Sequence, residues 1–165
     1  MNTALLIIDM QKAYHQTNAK ESMDRAVEYI NYAVELFRNT DNKIIWTQDE
    51  RRDIGLIRGT GWFGIIDTLE PGNAEKIVIK EHDNAFNKTE LYEYLITEKI
   101  DTIVITGCLA EHCVLSTYKG AQEKGIKPFI LKNAIASGKE QYIEFVEEIS
   151  IVKTLNELKK IINKE

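Results

Sequence analysis

Three side chains able to do acid–base or nucleophilic chemistry stand at or just past the ends of apolar runs. Asp9 follows Ala4-Leu5-Leu6-Ile7-Ile8, and Lys80 follows Ile77-Val78-Ile79. Cys113 follows Ile103-Val104-Ile105-Thr106 by way of the turn Gly107-Cys108-Leu109-Ala110-Glu111-His112. A thiol where strand turns to helix faces unpaired backbone N–H groups and the positive end of the helix dipole, so its pKa is expected to fall. From the turn alone two readings stand: a nucleophile, or a small buried side chain of the kind unpaired cysteines often are. Asp9 and Lys80, taken singly, read as readily as a cap or a solvated charge at a strand end. Taken together with Cys113 they read as a site, because parallel strands deliver their C-terminal ends to one edge of the sheet, where ligands bind.

The elements that must position these groups alternate. Strands are expected at 4–8, 43–47, 76–80, 102–106, 127–131 and 149–152. Helices are expected over about 22–38, 88–98, 112–124, 139–147 and 154–163. Strands apolar on both faces, separated by helices, imply right-handed crossovers and a parallel sheet covered by helices. Thr154-Leu155-Asn156-Glu157 is a capping box for the last helix, and Gly125 stands where a helix-terminating glycine belongs. No repeat or linker interrupts the chain, and its 165 residues suit one domain spanning 1–165.

Segment 48–75 breaks the alternation. It carries five of the nine glycines, Trp62, Phe63 and the charged run Asp49-Glu50-Arg51-Arg52-Asp53. Long loops in small domains are usually functional or disordered. The aromatics read either as an apolar wall for a ligand or as anchors of the loop, and the charged run reads as a solvated surface or, less commonly, as a place for a hard cation at Asp49, Glu50 and Asp53.

Composition excludes several classes of function. A net charge of −5 gives no support to a nucleic-acid or anionic-membrane surface. No apolar run approaches the ~18 residues of a membrane span, and Met1-Asn2-Thr3 leads at once into the first strand without a basic or signal-like leader. Two cysteines outside any metal-spaced cluster fit a reducing compartment, so a cytoplasmic location is expected.

Four stretches resemble the isochorismatase-like cysteine hydrolases, over about residues 4–135. Ala4 through Gln11 is similar to the family's opening strand and D-x-Q signature, with Tyr14 at its aromatic position. Trp46-Thr47-Gln48-Asp49 resembles its second-strand ending. Lys80, Asn84-Ala85-Phe86 and Thr89-Glu90-Leu91 resemble K-x-x-x-[SN]-A-F-x-x-T-x-L, and Gly107 through Val114 resembles G-x-x-x-[DE]-x-C-V. The resemblance implies an α/β, three-layer Rossmann-like fold with a six-stranded, mainly parallel sheet and helices on both faces. It also implies an Asp9, Lys80, Cys113 triad, a cis Cys108–Leu109 peptide and an oxyanion hole from the Leu109 and Cys113 N–H groups. Tyr14, Trp62 and Phe86 are the expected walls of the substrate pocket, and Cys108 is expected to be buried filler.

The implied activity is hydrolysis of a small amide or related C–N bond through a Cys113 thioester. Asp9 takes the thiol proton, later protonates the departing amine and then activates water. Free Asp and Cys differ by about 4.5 pKa units, so this route needs Asp9 raised by burial and Cys113 lowered by Lys80. Other chemistries fit less well. His112 adjoins Cys113 along one helix and does not face it, while His15 and His82 have no clear route to the thiol. Nicotinamidase-type relatives bind a metal through D-x-H and a further histidine, but Asp49-Glu50-Arg51 lacks the histidine and none occurs between His15 and His82. No metal or other cofactor is therefore expected. Isochorismatase-type vinyl-ether hydrolysis and a non-catalytic small-ligand module are the alternatives, although Asp9-Met10-Gln11-Lys12-Ala13 lacks a phosphate-binding glycine. The expected partners are a small-molecule substrate and further copies of the chain in a homo-oligomer, with no nucleic acid and no membrane.

Overall fold

Every residue of the first strand, β1 (Thr3–Ile8), is buried, as an apolar run at the centre of a two-faced sheet must be. The computed structural model describes residues 1–163. After β1 come α1 (Lys12–His15), α2 (Lys20–Arg38), β2 (Lys43–Asp49), β3 (Lys76–Lys80), α3 (Leu91–Thr97) and β4 (Thr102–Cys108). The chain continues through α4 (Leu115–Glu123), β5 (Lys127–Ala136), α5 (Glu140–Glu148), β6 (Val152–Lys153) and α6 (Leu155–Asn163). The six strands lie in the order β3-β2-β1-β4-β5-β6, and each neighbouring pair runs parallel.

That order reverses between β1 and β4: the chain moves outward from β1 to β2 and β3 on one side, and from β4 to β6 on the other. The crossover helices leave the two strands on opposite faces, so a crevice opens at their C-terminal ends. Side-chain alternation along β1 builds both faces. Ala4, Leu6 and Ile8 join Leu91, Leu95, Val114, Tyr118 and Val146 on the α3, α4 and α5 side. Leu5 and Ile7 join Met23, Ile30, Phe37 and Leu158 on the α2 and α6 side. Burying each such aliphatic side chain stabilises the fold by about 1.5–3 kcal/mol.

Local signals at the element ends hold. Thr154 N–H donates to Glu157 Oε2 at 2.8 Å and Glu157 N–H to Thr154 Oγ1 at 3.3 Å, closing the capping box. The Thr154 N–H, then Lys153 and the Thr154 hydroxyl, hold the Glu157 carboxyl down at about 2. Gly125 takes φ 74° after α4. Some boundaries differ from expectation. Residues 88–90 stay outside α3, because Thr89 Oγ1 bonds to the Ala85 carbonyl and accepts from Leu91 N–H at 3.3 Å, spending the turn on side-chain bonds. β5 runs on to Ala136 through a register shift opposite Ile105 and Gly107, and β6 starts only at Val152 because Ile149 still caps α5.

Candidate active site

Each of the three reactive groups is delivered by a strand end. At the end of β1 the chain turns with φ 48° at Asp9, a left-handed conformation that costs a non-glycine residue about 1–3 kcal/mol. This turn aims a fully buried carboxylate across the C-terminal edge. Asp9 N–H donates to the Thr47 carbonyl at 3.2 Å, and Thr47 Oγ1 donates to Asp9 Oδ1 at 2.6 Å, so β2 fixes the orientation. Lys80 ends β3, and its Nζ lies 2.7 Å from Asp9 Oδ2, a charge contact with no aligned hydrogen bond on that oxygen. The same ammonium donates to the His82 carbonyl at 3.1 Å and to Cys113 Sγ at 3.2 Å, and it stands 3.3 Å from Asp49 Oδ1.

Cys113 reaches this point from β4 through a tight approach. Gly107, at φ 103°, lets β4 pass so close to β1 that an added Cβ would sit 2.1 Å from the Ile8 carbonyl oxygen. The Cys108–Leu109 peptide is cis. A π-helical turn, Ala110–Val114, then carries Cys113 into α4, which begins at Leu115 rather than at 112. Cys108 is fully buried and donates through Sγ to the Asp9 carbonyl at 3.1 Å. Among the described residues, neither the Leu109 nor the Cys113 N–H donates to a group in another element.

The electrostatics correct one expectation. Burial pushes the Cys113 thiol up rather than down, and the Asp9 charge adds to this against the pull of Lys80. Burial raises the Asp9 carboxyl as well, with Lys80 pulling it back. Burial works against the Lys80 ammonium, but Asp9, then Cys113 and Asp49, outweigh it and raise its pKa. The buried thiol and the buried Asp9 carboxyl thus both stand in direct contact with one ammonium.

A cavity of about 330 Å³ opens over the sulfur, lined by Tyr14, Arg51, Asp53, Ile54, Asp83, Leu109, His112 and Cys113. Tyr14 lies where expected and also donates to Asp49 Oδ2 at 2.7 Å. Trp62 does not line this cavity. It is 55% exposed and walls a neighbouring groove of about 220 Å³ on the far side of Ile54. Phe86 is likewise absent: it lies buried in the core with Ala85, Leu91 and Tyr118, because Thr117 draws the Ala85 N–H onto α4 at 3.0 Å. Phe63, not Trp62, anchors the long loop, through a carbonyl that accepts from Gln11 and Gln48 at 3.0 Å each.

The charged run at the end of β2 is solvated only in part, at Arg52 and Asp53. Asp49 and Glu50 are buried, and Arg51 joins the site by donating from Nε to both Asp49 oxygens at 2.9 Å and from Nη2 to Asp83. Composition hides this, but Asp49 ends a strand at the same edge as Asp9 and Lys80, and that position is the available signal. Donor atoms of Asp9, Asp49 and Cys113 all lie within 4.8 Å of one another, a spacing that suits a metal ion. The residues do not fit one: the Lys80 ammonium stands among the three groups, and Asp49 already serves Arg51 and Tyr14.

The profile of the Isochorismatase domain matches residues 3–148, from β1 to the end of α5. The chain belongs to the isochorismatase family. An uncharacterized isochorismatase family protein of Bacillus subtilis, YrdC, is 30% identical over 138 residues, covering 81% of this chain and 73% of that protein. N-carbamoylsarcosine amidase of Arthrobacter is 35% identical over 74 residues, 45% of this chain and 28% of the amidase. The crystal structure of an isochorismatase-like hydrolase from Alkaliphilus metalliredigens superimposes with a TM-score of 0.89 at 27% identity, over 98% of this chain and 99% of that one. These relatives make the chain an isochorismatase-family hydrolase, a family that acts on small molecules. Among its described residues no helix is long and apolar enough to cross a membrane.

Proposed function

We propose that this hydrolase cleaves a small amide or related C–N bond, with Cys113 as nucleophile, Asp9 as proton carrier and Lys80 as the fixed cation between them. The observation that carries the reading is the buried ammonium of Lys80, 2.7 Å from Asp9 and 3.2 Å from the Cys113 sulfur. The similarity to an amidase supports the C–N bond over a vinyl ether.

In the proposed route, Asp9 accepts the thiol proton as the sulfur attacks the carbonyl carbon. With both groups raised by burial, proton transfer and attack proceed together, and no standing thiolate is required. The Leu109 and Cys113 N–H groups receive the developing oxyanion, a role in which one donor is worth about 10²–10³ in rate. Asp9 returns its proton to the departing amine, and water then opens the thioester with Asp9 as base. Lys80 stays charged throughout. The mechanism uses no metal, because its ammonium fills the cation position. The free thiols of Cys108 and Cys113 support a reducing, cytoplasmic setting. The exposed Phe145, Ile149 and Ile151 support self-association into a homo-oligomer.

Intact-mass spectrometry of the full chain mixed with a panel of small amides tests the reading. The expected result is an acyl mass on Cys113 that decays with turnover. Full activity in Cys113→Ala on the true substrate would exclude covalent catalysis and bring the vinyl-ether reaction or a binding role forward.

A further inference from the structure

Asp49 is a buried carboxylate with positive charge or a donor on several sides. Arg51 Nε lies 2.9 Å from both of its oxygens, Tyr14 donates at 2.7 Å, and Lys80 Nζ stands 3.3 Å away. Arg51 is held from its other side by Asp83, 2.5 Å from Nη2. Asp83 is itself fixed to α4, since Thr117 Oγ1 donates to its carbonyl at 3.4 Å and accepts the Ala85 N–H at 3.0 Å. A chain of alternating charge thus runs from Asp83 through Arg51 and Asp49 to Lys80, beside the cavity over Cys113.

Two buried anions, Asp9 and Asp49, compete for the one ammonium of Lys80. Without its own counter-charge, Asp49 would draw Lys80 from Asp9 and add a second negative charge against the thiolate. Arg51 supplies that counter-charge. Its planar fork spans two carboxylates at once, which a lysine at the same position cannot do. The groups facing the sulfur are Asp9 just past β1, Asp49 and Arg51 at the end of β2, Lys80 at the end of β3, Asp83 beyond it with Oδ1 3.8 Å from Sγ, Tyr14 from α1 and His112 from the sulfur's own turn. Lys80 and Arg51 bring a lysine and an arginine cation to this group.

We propose that Arg51 is a positioning residue for Cys113: by neutralising Asp49 it leaves the Lys80 ammonium to Asp9 and the Cys113 sulfur. This rests on Cys113 being the nucleophile.

The test is the rate of Cys113 alkylation by iodoacetamide against pH, in the full chain, with the modified peptide followed by mass spectrometry. Arg51→Gln is expected to move the midpoint up by about one unit and to slow alkylation about tenfold at a fixed pH below it. Asp49→Asn is expected to move the midpoint down. The double variant Arg51→Gln/Asp49→Asn is expected to return toward the wild-type midpoint, which loss of a merely structural contact would not do. An unmoved midpoint in Arg51→Gln, with the wild type titrating normally, would overturn the role of Arg51 alone. So would a double variant as slow as Arg51→Gln. Should Arg51→Gln not fold, Asp49→Asn decides: a midpoint that stays or rises overturns the proposal. A wild-type Cys113 that is not alkylated at any pH would overturn the nucleophile reading together with this one, and one alkylated without a midpoint would overturn the role of Arg51 alone.

Discussion

The two edges of the sheet carry cavities of opposite character. At the amino-terminal edge about 510 Å³ opens between Asn2, Asp41, Lys43 and Glu98, more space than the roughly 330 Å³ over Cys113. Its ion pair, Lys43–Glu98 at 3.2 Å, is open to solvent, with side chains 46% and 34% exposed. At the carboxyl-terminal edge the smaller cavity stands over Asp9, Asp49 and Lys80, all at most 1% exposed. Charge held out of water, not volume, marks the edge that can do chemistry. Solvent screens the first pair to about 0–1 kcal/mol, whereas desolvation makes each contact in the second decisive for protonation. The switch point between β1 and β4 explains why the second edge can gather its groups from three strands.

The comparison breaks first at the sulfur. Cys113→Ala is expected to reduce turnover by about 10⁴-fold or more, while Cys108→Ala stays within a few-fold, measured as kcat on any substrate that acylates the wild type. Asp9→Asn is expected to lose nearly as much. It separates from the first variant by its thiol: because the Asp9 charge raises the Cys113 pKa, removing it lowers that pKa, so iodoacetamide reacts faster at pH 7 even as turnover disappears. Slower alkylation in Asp9→Asn would contradict the assigned electrostatics.

A backbone change sharpens the comparison from the side of stability. Gly107→Ala places a methyl 2.1 Å from the Ile8 oxygen at φ 103°, so a loss of roughly 3 kcal/mol or more is expected, read as a fall in the urea midpoint. Lys43→Ala and Glu98→Ala, at the opposite edge, are expected to change stability by less than about 1 kcal/mol and to leave kcat unchanged. Prolonged chelator treatment is expected to leave activity unchanged. Activity lost to the chelator and restored by added metal would show that the Lys80 ammonium yields its place to an ion.

The sequence alone determined the alternation of strand and helix, the capping box at Thr154 and the convergence of Asp9, Lys80 and Cys113. Each follows from near-neighbour patterning or from the rule that parallel strands share one C-terminal edge. Tertiary structure decided the rest. The run Asp49 to Asp53 looks uniformly hydrophilic, yet β2 carries Asp49 into the interior, where Arg51 and Tyr14 meet it. Phe86 and Trp62 are both aromatics near the site in sequence, but the bond from Thr117 buries the first and Ile54 separates the second from the sulfur. The direction in which the Cys113 pKa moves also escaped the sequence. A helix terminus is a local feature legible in a turn, whereas burial and the fields of Asp9 and Asp49 come from residues far along the chain.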